Sequence, residues 1–370
     1  MNTKRSKLFW LSVISIALLS IILSLYNKDS NITWNIPIPD FVKRIIDRIQ
    51  WRTLSCDANK WNSPLIAKYG VATVLTVDQK GCGKFRTFKQ AVAAVPDKSP
   101  KPTLIIFDAG VYMEKVDVPK TKFNLIIQGQ GYQNTFLAWN DTAASSNGTV
   151  FSYSVCVYAP NFRAHDISFK NTAPNPKQGV QGGQAIALRI SGDQAAFYNC
   201  GFYGFQDTLY CESGRHYFKQ CFIEGSTDFV FGNGRSLFED CTINSVATGV
   251  GITGAIAAQQ RNTSAEQTGF SFVNCRIVGI GNIWLGRAWG PYSITVFIRT
   301  SMSAIINPEG WNNFKDPSRD QKVFFGEHAC TGPGSSFKGR VKYAKNLSVA
   351  EAKPYMDISY INGNLWLPKG

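Results

Sequence analysis

Charged side chains are scarce in this chain: Asp, Glu, Lys and Arg make up 17% of its 370 residues, below the usual quarter. It has no long basic run, no RNA-binding signature and no zinc-type spacing, so a nucleic-acid partner is not expected. Histidine is scarcer still, with His165, His216 and His328 far apart. With no Cys-x-x-Cys either, a metal site is not expected. The few histidines also weigh against a Ser-His-Asp triad, and no Gly-x-Ser-x-Gly elbow occurs. What the chain does have is glycine (32 residues) and aromatics at 13%, a composition suited to short strands and many turns. The formal net charge of +14 is silent on fold but predicts attraction to polyanions such as anionic membranes or acidic polysaccharide.

One phrase recurs. Phe-x-x-Cys begins at Phe197, Phe218, Phe238 and Phe272, and Phe162 to His165 reads as an earlier copy without the thiol. The first three Cys-bearing copies start 21 and then 20 residues apart, a period that signals stacked repeats. If each copy is one coil of a parallel β-solenoid, equivalent positions lie roughly 4.8 Å apart. Asp207, in Gln206-Asp207-Thr208-Leu209, and Asp228, in Asp228-Phe229-Val230-Phe231-Gly232, each lie ten residues past their own Phe. They are expected as stacked neighbours on one face. Two carboxylates so close do not both ionise easily, which divides them into an acid and a base. The plainer reading makes both of them loop caps bonding their own backbone. Gln206 before one Asp, and the apolar run after the other, favour chemistry.

The N-terminus reads as a targeting segment. Lys4, Arg5 and Lys7 precede an uncharged apolar stretch from Leu8 to Tyr26. That is long for a signal-peptide core and no small-x-small site follows, so residues 1–26 are expected as a signal peptide or a retained signal anchor. The basic flank stays cytoplasmic and the rest is exported. Sequons at Asn31, Asn140, Asn147, Asn262 and Asn346 agree with a secreted glycoprotein. Nine cysteines then permit disulfides. Cys200, Cys221 and Cys241 fall on neighbouring coils, either at disulfide spacing or as a ladder of buried thiols.

Residues 27–66 read as a tether, with a short amphipathic helix at Phe41 to Trp51, and residues 67–370 as one catalytic domain. Val71 to Val77 is rich in β-branched residues and reads as a strand. Phe88, Ala91, Val92 and Val95 share one helical face within Phe85 to Pro96. Further strands are expected at Leu104 to Phe107, Leu125 to Gln128 and Val155 to Tyr158. Near Phe337 the pattern loosens toward a polar tail.

Five phrases in order carry a resemblance: Gly110-Val-Tyr-Met-Glu114, Gln184-Ala-Ile-Ala-Leu188, Gln206-Asp-Thr-Leu209, Asp228-Phe-Val-Phe-Gly232 and Leu285-Gly-Arg-Ala-Trp289. From about Val71 to Pro368 the chain resembles the plant pectinesterases (pectin methylesterases), in a form without their inhibitor-like pro-domain. The resemblance implies an all-β fold, a right-handed single-stranded parallel β-helix of the pectin lyase-like kind. Ala288 stands where the family usually has Pro, a change expected to touch loop rigidity more than chemistry. Ile186 replaces the usual Val.

The resemblance also implies the chemistry: hydrolysis of the methyl esters of cell-wall homogalacturonan, releasing methanol and pectate without a cofactor. Asp228 would be the nucleophile, and Asp207 the acid that later acts as base. A guanidinium beside Asp228 would favour its charged form, which suits Arg287. Gln206 and Gln184 would donate to the oxyanion; an isolated Gln is more readily a rung of a solenoid ladder, a balance that the motif context reverses. Trp289 would stack on sugar or serve as core, and Thr149, on the strand before Phe162, would line the groove. Gly110 to Glu114 reads as structural: a turn, a packed Tyr and a carboxylate fixing the fold. The expected partners are pectin and a proteinaceous pectinesterase inhibitor, for a monomer secreted to the cell wall. Rival readings share the fold. A polygalacturonase would show a Gly-His-Gly and an Asp-Asp pair, and a lyase a cluster of acidic Ca²⁺ ligands; neither pattern is found. A non-catalytic pectin-binding homologue would be expected to have lost part of the set that is intact here.

Overall fold

The computed structural model describes residues 56–368 apart from residue 178. The apolar segment at 8–26, the helix expected at Phe41 to Trp51 and Asn31 lie outside the described residues. Cys56 opens a compact unit built of three parallel sheets, one of 11 strands and two of eight. One coil shows the plan. Leu209–Cys211 lies in the first eight-stranded sheet, Arg215–Lys219 in the 11-stranded sheet and Phe222–Gly225 in the second eight-stranded sheet. The chain then rises to Thr227–Gly232, which pairs in parallel with Leu209–Cys211. This is the parallel β-helix that the repeat period predicts.

The Phe-x-x-Cys phrase is the corner between the 11-stranded sheet and the next. Its third residue bends the chain in a left-handed conformation, at φ 51° for Asn199, 56° for Gln220, 55° for Asp240 and 53° for Asn274. Asn and Asp tolerate that region better than most side chains. The phenylalanines point inward and stack in register: Phe197 on Phe218, then Phe238, Phe272 and Phe297. Their ring centroids are 4.8, 4.6, 4.5 and 4.6 Å apart and the planes differ by 11° at most. The strand spacing thus sets the stacking distance. Each cysteine reaches back one coil: Cys221 Sγ donates to Phe197 O, Cys241 Sγ to Phe218 O and Cys275 Sγ to Phe238 O. Thr300 Oγ1 takes the same role toward Phe272 O at 3.4 Å. These cysteines are free thiols, so the ladder reading holds and the disulfide reading does not; Cys56 pairs instead with Cys82.

Four local expectations need correction. Phe162 is not a ladder position, because Ala164 is the residue in register with Phe197; Phe162 still packs against that ring, tilted, at 5.9 Å. Cys56 to Ile66, expected as the end of a tether, belong to the compact unit, where Leu65 is buried with Leu104, Ile106 and Ile126. Thr149 is not on a strand but opens a short 3-10 turn, Thr149–Phe151. The C-terminal tail is not loose. Tyr360, Ile361 and Trp366 are buried against Tyr217, Leu237 and Val273 on the outer face of the 11-stranded sheet, where apolar burial outweighs the tail's local polarity.

The remaining early elements agree with the sequence. The helix is Phe88–Ala94, and Phe88, Ala91, Val92 and Val95 are all buried. Glu114 accepts from the backbone N–H of Phe88 at 2.8 Å and of Lys89 at 3.1 Å, an anion placed on the helix's free N–H groups. Tyr112 is buried and donates to Val77 O and Asp108 O. Phe238→Ala should remove a ring stacked on both sides and leave a cavity. A loss of about 3–5 kcal/mol in denaturant unfolding is expected; a loss below about 1 kcal/mol would mean that the ladder does not hold the coils together.

Candidate active site

Asp207 and Asp228 come together as the repeat implied. The register pairs Leu209 with Val230 and Tyr210 with Phe231, while Gln206 bridges to Thr227. Asp207 therefore lies beside Asp228 on the adjoining coil. Both are nearly buried, at 9% and 8% exposure, and both have left-handed backbones, at φ 66° and 51°. A bulge follows the second one. Thr227 pairs with Ala255 and Val230 with Ala257, so two residues stand opposite one. As a result Phe229 and Val230 both enter the interior, while Phe231 turns outward onto Tyr210, stacked at 4.4 Å. Bulges of this kind re-aim side chains beside sites. Of the apolar run after Asp228, only Phe231 thus lies on the outer side. Gly232 ends the strand at φ 118°, where a Cβ would lie 2.2 Å from Cys211 O.

Arg287 reaches Asp228 from two coils away. Phe231, Ala258 and Arg287 occupy successive rungs of one outward column. The small Ala258 leaves the guanidinium room to fold back across it. Arg287 Nε donates to Asp228 Oδ1 at 2.8 Å and Nη2 donates to Oδ2, a bidentate pair. Such pairs fix orientation as well as charge. Burial raises the Asp207 carboxyl well above its ordinary range; the Asp228 charge adds to that and Arg287 opposes it. The pair is therefore asymmetric: the surroundings favour the neutral form of Asp207, while Asp228 is ion-paired.

The other expected residues fall around this pair. Gln206 precedes Asp207, and its carbonyl accepts from Ala185 N at 3.0 Å. Gln184 adjoins that contact, and its side-chain oxygen is buried without a partner, a costly state for a polar atom. Trp289 is half-buried and leans on Phe231 at 6.0 Å and 48°, so it serves as packing on one face while the rest stays open. Thr149 sits on its turn, bonded through its carbonyl to Ser152, and no contact ties it to the aspartates.

Sequence reasoning missed four residues here. Tyr210 and Phe231 stand three residues past their aspartates, a matched offset that could have marked an aromatic floor. Phe314 and Arg319 left no such trace. The guanidinium carbons of Arg287 and Arg319 lie 4.7 and 5.6 Å from the Phe314 ring centroid. Arg319 Nη1 donates to the carbonyls of Ala288 and Trp289. This clamp holds the segment that carries Ala288 and Trp289.

Comparison with known proteins points to one family. The Pectinesterase family profile matches residues 74–364. The chain is 51% identical to Putative pectinesterase 14 of Arabidopsis thaliana over 298 residues, covering 80% of this chain and 89% of that protein. Pectin methylesterase from carrot superposes with a TM-score of 0.75 at 35% identity, covering 79% of this chain and 94% of that one. A pectin methylesterase in complex with a hexasaccharide superposes at 0.68 and 25% identity, over 80% of this chain and 98% of that one.

The raised Asp207 has a consequence for stability. Native Asp207 keeps its proton above the ordinary value of 3.8, where an unfolded Asp has lost it. Over that window the native state binds more protons, so stability falls as pH rises. Asp207→Asn lacks the group. Its Tm relative to wild type should climb from about pH 4 upward and level off once wild-type Asp207 has ionised. A difference that stays flat from about pH 4 to 8 would show that Asp207 is not raised.

Proposed function

The chain belongs to the pectinesterase family and is a carboxylic ester hydrolase that removes methyl esters from pectin; from that premise we propose how its own residues carry the reaction. Asp228 is the nucleophile. One of its carboxylate oxygens attacks the C6 carbonyl carbon of a methyl-esterified galacturonate, and the carbonyl electrons move onto oxygen. Gln206 and Gln184 donate amide N–H groups to that oxyanion; one such donor is worth about 2.7–4 kcal/mol in other hydrolases. The Gln184 side-chain oxygen has no hydrogen-bond partner, so no structural bond through that atom competes with this role. As the intermediate collapses, the C–O bond to the methoxy group breaks and Asp207 gives its proton to the departing methanol. Asp207, now a carboxylate, takes a proton from water. The resulting hydroxide attacks the acyl carbon, releasing pectate and restoring Asp228.

The observation that carries this assignment is a buried Asp207, its carboxyl raised, beside an Asp228 held bidentately by Arg287. Trp289, resting on the buried stack of Tyr210 and Phe231, offers its open side to a sugar ring, and Thr149 lines the rim. The family acts on the cell wall. We infer that this chain is exported there by the segment at 1–26 as a signal or anchor, with residues 27–55 as a tether before the catalytic unit. We infer further that it works as a monomer and is open to a proteinaceous inhibitor. Among the described residues no helix is long and apolar enough to cross a membrane.

Methanol release from highly esterified pectin tests the nucleophile. Asp228→Asn keeps the shape and loses the attacking charge, so turnover should fall far below a tenth of wild type. Retention above that level, a barrier change under about 1.4 kcal/mol, would reject Asp228. Arg287 makes a second test. It opposes the upward shift of Asp207, so Arg287→Gln should lower turnover and also move the basic limb of the rate profile to higher pH. The limb belongs to the coupled pair. Arg287→Lys retains charge but loses the bidentate geometry; it should lower turnover and leave the basic limb nearly in place. If the Gln variant leaves the limb unmoved, Arg287 is not coupled to the acid.

A further inference from the structure

The catalytic groove lies on the outer face of one eight-stranded sheet. The other eight-stranded sheet, around the next corner, carries a row of aromatics on its own outer face. Phe136, Tyr203 and Phe222 meet at 5.7 and 5.4 Å, and Tyr132 extends the row at 6.4 Å from Phe222. All four are half-buried. Tyr203 lies across Gly201, where a Cβ would meet the ring at 2.5 Å. The missing side chain lets the ring settle onto the sheet and leaves it one open face. Beside the row runs a polar column in register: Lys170, Tyr203, Glu224 and Asn244. Asn244 Nδ2 donates to Glu224 Oε2 at 2.9 Å. Lys170 is exposed, and no carboxylate lies in ion-pair range of it among the described residues. Where row and column meet, a cavity of about 310 Å³ opens between Lys170, Tyr203, Glu224 and Phe205. Phe205 immediately precedes Gln206, so the cavity abuts the turn that carries the proposed acid.

We propose that this face is a second saccharide site, separate from the groove, that takes a de-esterified galacturonate segment of pectin. Aromatic faces with polar side chains at their edge suit a sugar ring. The unpaired Lys170 ammonium selects a free carboxylate over a methyl ester, since it forms a charge-assisted bond only with the former. Glu224 and Asn244 remain to bond hydroxyls. The inference rests on pectin being the substrate. Its consequence is retention: a polymer held at a second point stays close to the groove after each turnover.

Affinity electrophoresis in gels containing polygalacturonate tests the site. The catalytically silent Asp228→Asn chain should be used, with its groove filled by excess short methyl-esterified oligogalacturonide. Retardation should persist under those conditions. Adding Lys170→Glu or Tyr203→Ala should weaken it by on the order of tenfold, while Lys170→Arg should preserve it. Retardation abolished by the short oligomer alone, or unchanged by both Lys170→Glu and Tyr203→Ala, would overturn the proposal. So would a change of oligomeric state in light scattering without a change in retardation, which would make the face a protein contact. Lys170→Glu in the active enzyme should release methanol from the short oligomer within about twofold of wild type. That measurement shows that the variant is folded, and it keeps a failure of the second site apart from a failure of the esterase reading, in which wild type itself would release none.

Discussion

Stacking each coil in register on the last is the constraint from which the rest of this protein follows. At a strand spacing of roughly 4.8 Å, a residue type repeated with the coil must lie against its own kind. Inside, that is favourable. Phenylalanine on phenylalanine gives a column of parallel rings spaced at 4.5 to 4.8 Å, and cysteine on cysteine gives thiols that bond the preceding coil. Outside, the same rule sets Asp207 beside Asp228. Like charges in a nearly buried place are the least stable pairing that the repeat produces, and it is there that the chemistry is proposed to occur.

The conflict is resolved by breaking the symmetry between the two coils. Asp207 sits where burial and its neighbour's charge favour the neutral acid. Asp228 has the same position in the next coil but is followed by a bulge and met by Arg287. That meeting depends on residues far apart in the chain. Ala258 must be small for the guanidinium to cross its rung, and Phe314 must offer its ring to both Arg287 and Arg319. A larger residue at 258 would separate nucleophile and arginine without touching either.

How much of this was legible follows from how far each signal reaches. The inward ladder and the paired aspartates could be read because the period itself carries them. The corner residues Asn199, Asp240 and Asn274 fit the left-handed bend by their own chemistry. Phe162 was misread because an aromatic two residues out of register resembles a repeat; only strand pairing shows that Ala164 holds the place. Tyr360 and Trp366 sit in a polar stretch whose partners, Tyr217, Leu237 and Val273, lie far earlier in the chain, on a face that local pattern does not reveal. Thr149 was carried by likeness alone, and its turn has no periodicity to place it. The bulge after Asp228 likewise exists only in relation to Ala255 and Ala257 on the next coil.

Where function could sit was decided by which faces remained open. The interior is filled by rings. The outer face of the 11-stranded sheet is covered from the N-terminal side by Leu65 and its neighbours and from the C-terminal side by the tail. The outer faces of the two eight-stranded sheets remain: the half-buried Trp289 stands beside the first, and the half-buried Phe136, Tyr203 and Phe222 lie on the second. On the first, the proposed reacting groups project from strands and from a tight turn between strands, so the ladder that stabilises the solenoid also limits their movement. Both aspartates are further fixed by backbones that few side chains adopt, an arrangement that costs of order 1–3 kcal/mol per residue and persists only where the surroundings enforce it. Strand pairing on either side supplies that enforcement: Gln206 bridges to Thr227 before the pair and Leu209 pairs with Val230 after it. Loosening the ladder should therefore disturb the geometry of the aspartates before it unfolds the coil, because the strained positions have the least to lose by relaxing.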